Sequence, residues 1–252
     1  MKTSVIGFPR IGTLRELKFA SEKYFRKEIS AEELQQVAKD LRKIHWQTQK
    51  DAGIDFISSN DFSFYDITLD SAVLFNIVPK RYQDLQLPAL DTYFAMARGY
   101  QGPSGDVKAL AMKKWFNTNY HYLVPELEDD TEIKLAGTKF FDEYEEAKSL
   151  GVETKPIVTG AYTLLKLAKT TGTKTTEDYV DATIQAYQDL LKKAEEKQIA
   201  WVQVEEPALV VTWTKQTLRC SANCMKPFCL LPRTLRFWYR LTLEMSETFT
   251  KP

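Results

Sequence analysis

Arg15 and Lys18 stand three residues apart in the run Gly7-Phe8-Pro9-Arg10-Ile11-Gly12-Thr13-Leu14-Arg15-Glu16-Leu17-Lys18. Gly and Pro punctuate a turn here, and the spacing predicts a helix from Leu14 with both cations on one side. The start of a helix favours anions, so two cations there gain nothing from the helix itself. Either they form a solvated face with Glu16 as local partner, or they receive an anionic ligand. A guanidinium offers a carboxylate a planar fork, and an ammonium offers a point charge.

A second group is Lys113-Lys114-Trp115-Phe116-Asn117-Thr118-Asn119-Tyr120-His121-Tyr122. Adjacent cations beside Trp115 suit an anionic, partly aromatic ligand, whereas Trp115 and Tyr120 also suit a core. His121 is a candidate for proton transfer, as histidine is the usual side chain for it near neutral pH, but a His between two Tyr fits a hydrogen-bonded core position better. His45 beside Trp46 reads the same way. Asn60, Asp61 and Asp66 follow one strand candidate, and Glu205 and Glu206 follow another. Neighbouring carboxylates alternate across a strand, so both groups read as positioning residues and not as acid–base pairs.

The elements around these residues bound the fold. Ser4–Gly7 and Ile54–Ser58 are short apolar strands. Leu14–Glu28 reads as a helix. Ser30 with Glu33 forms a capping box that opens a helix to Asp51, and Gly53 stops it. Helices are also expected at Asp66–Asn76, Leu90–Arg98 and Asp142–Leu150, and strands at Tyr120–Val124, Ile133–Leu135 and Pro156–Thr159. Thr170–Thr176 is a turn, Glu177–Lys197 a periodic helix and Ala200–Val204 a strand. Such alternation predicts an α/β protein with a parallel sheet. The strand candidates before residue 207 are too few for the eight that close a barrel.

The chain has 252 residues, with equal numbers of Lys/Arg and Asp/Glu. Residues 1–210 are acidic, with 27 Lys/Arg against 32 Asp/Glu, which leaves no electrostatic footprint for nucleic acid. No apolar run reaches the roughly 20 residues of a membrane helix, and Pro9 and Arg10 interrupt any signal-peptide pattern. All three cysteines fall after residue 211, so a reducing, cytoplasmic setting is expected.

Several segments recur together: the Arg-Glu-Leu-Lys run, Lys114-Trp115-Phe116 with Thr118-Asn119-Tyr120-His121-Tyr122, Thr159-Gly160-Ala161-Tyr162-Thr163, and Trp201-x-Gln203-x-Glu205-Glu206-Pro207-Ala208-Leu209. In order and spacing they resemble the amino terminus of the cobalamin-independent methionine synthase family, over roughly residues 3–210. The resemblance implies part of the first of two (β/α)8 barrels, an incomplete TIM-type barrel over residues 1–210. It implies transfer of a methyl group from 5-methyltetrahydropteroyl-polyglutamate to homocysteine without cobalamin. It also implies that Arg15, Glu16, Leu17, Lys18 and Lys114 contact the methylfolate polyglutamate. The family's zinc, which activates the homocysteine thiol, is held by a carboxy-terminal barrel that a chain of this length does not include. No catalytic or metal-binding residue is therefore expected here, and the fragment is expected to be inactive alone. Lys113 stands where the family usually has Thr, and Glu205 where it has Asp. A weak folate-binding module, a non-functional truncation product and a uroporphyrinogen-decarboxylase-like barrel enzyme are the alternatives.

Residues 211–252 break this grammar. They hold seven Lys/Arg against two Glu, and no Gly, Asp or His. Cys220-x3-Cys224-x4-Cys229 offers three soft ligands, but no common zinc spacing. An out-of-frame reading explains the segment better. Thr212-Trp213-Thr214-Lys215 can be encoded so that a start one base earlier gives Asp-Met-Asp-Lys. Phe237 to Met245 can give Val-Leu-Val-Gln-Thr-Tyr-Phe-Gly-Asp, which resembles the family's next strand. On this reading residues 211–252 are not a domain. Sequencing the coding DNA tests it: deleting one base or inserting two near codon 210 is expected to open a frame that continues the resemblance, and a closed alternative frame overturns the idea.

Overall fold

The computed structural model describes residues 2–210, 223–224 and 236–240. The out-of-frame expectation therefore falls largely outside the described residues. Along the chain run α1 (Glu16–Phe25), α2 (Ala31–Asp51), β1 (Ile57–Ser59), α3 (Ile67–Leu74), α4 (Lys80–Gln83), α5 (Ala89–Arg98), β2 (Tyr100–Gly102), β3 (Gly105–Val107), β4 (Met112–Lys114), β5 (His121–Leu123) and β6 (Glu126–Leu127). They are followed by α6 (Lys139–Ser149), β7 (Thr154–Thr159), α7 (Ala161–Leu167), β8 (Lys169–Thr170), α8 (Val180–Glu196), β9 (Trp201–Glu205) and β10 (Arg236–Arg240). Residues 1–65 with 138–157 form one compact unit, and 66–137 with 158–252 a second.

In the first unit β1 and β7 pair in parallel, Ile57 against Thr154 and Ser59 against Pro156. The expected strand at Ser4–Gly7 shrinks to one parallel bridge, Ser4 with Phe56. The capping box is present: the Ser30 hydroxyl accepts from Glu33 N–H, and the Glu33 carboxylate accepts from Ser30 N–H. α2 then packs Ala38 and Leu41 on Leu17 of α1 and on Phe62. One turn and more further on, Trp46 packs on Ile57, Ala147 and Val152, and its indole N–H donates to Ser58 O at 3.0 Å. The Lys155 side chain is buried and donates to Val5 O at 2.8 Å.

In the second unit β9 pairs in parallel with residues 236–240, and β6 pairs in parallel with β8. Phe75 of α3 stacks on Tyr187 of α8 with centroids 4.3 Å apart. The predicted α/β class with parallel strands holds, and two antiparallel hairpins, β2–β3 and β4–β5, are added to it. Ile133–Leu135 is not a strand. Lys134 N–H donates to Phe75 O, and Ala136 and Gly137 N–H both donate to Leu74 O. The segment is spent on the last carbonyls of α3, which have no partner within the helix. The predicted helix at Glu177–Lys197 divides into a 3₁₀ turn at Thr176–Tyr179 and α8. Among the described residues, no helix is long and apolar enough to cross a membrane.

Asp66 caps α3, accepting from Leu69 N–H at 3.1 Å, and also accepts from Leu123 N–H of β5 at 3.0 Å. Burial, with the nearby Asp70 adding to it, pushes its carboxyl up to about 6. A pKa above its unfolded value means that the folded protein binds this proton more tightly. Stability from this group is thus present below the unfolded pKa and is lost as pH rises through 4 to 6. Asp66→Asn is expected to remove that decline and to raise stability at pH 7 by as much as about 3 kcal/mol. Urea denaturation at pH 4, 5, 6 and 7 checks this, and parallel pH curves for the two proteins would refute it.

Candidate functional site

The turn before α1 has no ladder of its own and is fixed by side chains. Asp61 accepts from Phe8 N–H at 2.7 Å and from the Ser58 hydroxyl at 2.8 Å. Arg10 donates to Ser63 O at 2.6 Å and to Tyr65 O at 2.7 Å. The Phe8 ring stacks on His45 at 4.5 Å. His45 is buried, as expected for a packing His, and burial holds its pKa below the usual imidazole value.

The Arg-Glu-Leu-Lys run divides by task. α1 begins at Glu16, not Leu14, and Arg15 is its cap residue in the left-handed region, φ 64°. The helical spacing argument therefore does not apply to Arg15, whose side chain is exposed by the turn instead. Glu16 folds back so that its carboxylate accepts from Leu14 N–H at 3.0 Å. That carboxylate lies over Gly12, where any Cβ would sit 2.0 Å from an oxygen and where φ is +83°. Leu17 is buried, 1% exposed, and acts as the anchor to α2. Lys18 is half-exposed and lies 3.6 Å from Glu22 one turn on, a weak screened pair. Of the four expected ligand contacts, two side chains are thus committed to structure, and Arg15 and Lys18 remain presented.

In the second unit Lys114 ends β4 opposite His121 of β5. Lys113, Lys114 and His121 are all exposed, so the core reading of His121 does not hold. The connecting loop is closed by Trp115 N–H to Tyr120 O and by the Thr118 hydroxyl, which donates to Trp115 O and accepts from Tyr120 N–H. Phe116 takes φ 50° in this loop. Trp115 is half-buried, edge-on to Phe116 and Tyr122, in a small cluster with Val124 and Leu167. Tyr120, by contrast, is 77% exposed and fills no core. Among the described residues, no ion pair or side-chain hydrogen bond engages Arg15, Lys113 or Lys114.

The side chains expected to position loops at the strand ends do so. Asn60, at φ 59°, donates its amide to Ile157 O and accepts from Lys139. Glu206 is buried and accepts from Tyr162 N–H, Thr163 N–H and the Thr163 hydroxyl at the start of α7. Its carboxylate lies over Gly160, which leaves no room there for a Cβ. The tie from Asp66 to Leu123 was hidden, because only the helix cap is visible in the order Asp66-Ile67-Thr68-Leu69. A zinc site does not fit these residues. Among the described residues, no three His, Cys, Asp or Glu side chains gather to hold a metal, and of the three cysteines only the buried Cys224 is described.

Parallel strands alternating with helices, with carboxylate-held loops at their ends, define an α/β protein. The chain belongs to the family of cobalamin-independent synthase N-terminal domains, whose model matches residues 2–229. It is 56% identical over 216 residues to a 5-methyltetrahydropteroyltriglutamate–homocysteine methyltransferase of Streptococcus suis, covering 86% of this chain and 29% of that protein. A protein of the same description from Streptococcus thermophilus is 57% identical over 210 residues, 83% of this chain and 28% of its own length. The chain thus spans less than a third of the curated relatives it matches. A solved structure described as a vitamin-B12 independent methionine synthase from Listeria monocytogenes aligns with TM-score 0.60 at 11% identity, over 95% of this chain and 64% of that one. At that identity it speaks to the fold alone.

Gly12→Ala tests how the turn is built. A side chain at positive φ costs about 1–2 kcal/mol, and the contact with the Glu16 carboxylate adds to it. Denaturant unfolding is expected to show a loss of at least that size. A variant as stable as the parent would mean that the carboxylate is not held over Gly12.

Proposed function

We propose that the chain supplies the polyglutamate-binding part of a methyltransferase that moves a methyl group from 5-methyltetrahydropteroyltriglutamate to homocysteine. The observation that carries this is the presentation of Arg15. A guanidinium is placed at a strained, exposed cap position while its two neighbours in sequence are used to build the turn. Backbone strain persists where the surroundings impose it, and it concentrates at ligand sites. Lys18 and Lys114 are the proposed companions, with Glu16 and Leu17 as the frame. On this proposal the strands are part of a (β/α)8 barrel, the thiol-activating zinc is held by residues outside this chain, and the cellular setting is the cytoplasm.

Binding of 5-methyltetrahydropteroyltriglutamate by calorimetry tests the reading. Charge-assisted contacts contribute on the order of 1.5–3 kcal/mol when buried, and these groups are exposed in the free protein. Arg15→Ala and Lys114→Ala are each expected to weaken binding by about five- to tenfold, and the loss should shrink as ionic strength rises past about 0.5 M. Equal affinity for the monoglutamate, or unchanged affinity in both variants, refutes it. With zinc, homocysteine and the methylfolate, the chain alone is expected to form no methionine above background.

A further inference from the structure

We propose that Asp66 is a positioning residue for the Lys113–Lys114 hairpin, holding its second strand against the start of α3 through a single carboxylate oxygen. The inference rests on the functional reading above for what the hairpin does, but not for the geometry. In an antiparallel pair, alternate residues turn their N–H groups inward to the partner strand and outward. Val124 N–H donates to Ala111 O and Trp115 N–H to Tyr120 O, so the inward positions lie on either side of Leu123. Leu123 N–H therefore faces outward, away from β4, and it meets Asp66 Oδ2 at 3.0 Å. The same oxygen accepts from Leu69 N–H at 3.1 Å. One atom thus joins the first turn of a helix to the edge of a hairpin.

Apart from this tie, the hairpin leans on a small apolar cluster of Tyr122, Val124 and Leu167, and on a 3.4 Å hydrogen bond from the Tyr122 hydroxyl to Leu167 O. These contacts are non-directional apart from one long hydrogen bond. The carboxylate bond, 3.0 Å long, is directional and lies two residues from His121, the cross-strand neighbour of Lys114. The groups that face Asp66 are Asp70 on its own helix, the Tyr93 hydroxyl of α5, which receives Asp66 N–H and donates to Asp70, and Tyr122 of β5. None is a cation, so what offsets the burial of this charge is backbone amides, those of Leu123, Thr68 and Leu69. Holding an ionised carboxylate there costs folding stability, and a neutral residue would cap the helix as well. A stabilising replacement that impairs a site marks a residue kept for function.

Two variants separate the roles. Asp66→Ser retains a cap oxygen for Leu69 but is too short to reach Leu123. Asp66→Asn reaches both amides with a neutral acceptor. Hydrogen exchange on the full chain is expected to show residues 121–123 opening about tenfold faster in Asp66→Ser, with α3 unchanged. The Leu123 amide resonance of the parent is expected to titrate with a midpoint near pH 6, and to be flat in Asp66→Asn. Affinity for triglutamate should fall below that pH in the parent and not in Asp66→Asn. Unchanged exchange at 121–123 in Asp66→Ser, or a flat Leu123 titration in the parent, overturns the proposal. If Asp66→Ser does not fold, the titration alone decides. Failure of triglutamate to bind the parent would sink the functional reading and leave the exchange and titration results to judge this one.

Discussion

A backbone N–H outside a helix or ladder needs an acceptor, and in this chain the acceptor is repeatedly a carboxylate. Asp61 takes Phe8 N–H, Glu16 takes Leu14 N–H, and Asp66 takes Leu69 and Leu123 N–H. Glu206 takes Tyr162 and Thr163 N–H, and Asp129 takes Thr173 and Lys174 N–H. The segments that present cations depend on these ties. The turn before α1 has no regular structure of its own, and the β4–β5 hairpin has only three residues in each strand. The acids add directional ties to the apolar contacts and backbone bonds that also hold these segments.

Burial decides what each tie costs. Asp129 is open to water, and its amide bonds hold its pKa below the usual carboxylate range, so the ionised form stabilises the fold. Glu206 accepts as many donors but is enclosed, and desolvation raises its pKa in spite of them. Asp66 behaves like Glu206. The same bond type thus stabilises the protein at the surface and strains it in the interior. Removing a buried acid is not automatically favourable, since each amide left without an acceptor costs about 1–3 kcal/mol.

Local signals were legible where a residue acts on its near neighbours. Ser30 and Glu33 announced the start of α2, Gly53 its end, and the periodicity of Tyr187, Leu190 and Leu191 the buried face of α8. The strand–helix alternation gave the parallel α/β class. What failed has a common cause: a hydrogen bond outside helix and ladder took the backbone, from far along the chain in one case and from two or three residues away in the others. Ile133–Leu135 reads as a strand, but its amides are drawn to the end of α3. Leu14 and Arg15 read as helix, but the Glu16 carboxylate and Gly12 hold them in a turn. His121 and Tyr120 read as core, but the Thr118 loop turns them to solvent. The five positions expected to contact the ligand divide in the structure into the presented cations Arg15, Lys18 and Lys114 and the frame of Glu16 and Leu17, a division no motif shows.

The division bears on why the cations sit where they do. A cation within the first turn of a helix opposes the dipole and loses a few tenths of a kcal/mol to about 1 kcal/mol. Arg15 stands one residue outside that turn, in a conformation that costs an L-residue about 1–2 kcal/mol. The two penalties are of similar size, so the helix dipole alone does not explain the placement. The turn offers more: Leu17 packs on α2, Glu16 reaches back over Gly12, and Arg15, whose N–H donates to Gly12 O, takes the left-handed region between them. The strain at Arg15 goes together with the packing of its neighbours. It leaves the guanidinium pointing into water, undamped by any carboxylate among the described residues, with its full charge available to an incoming anion.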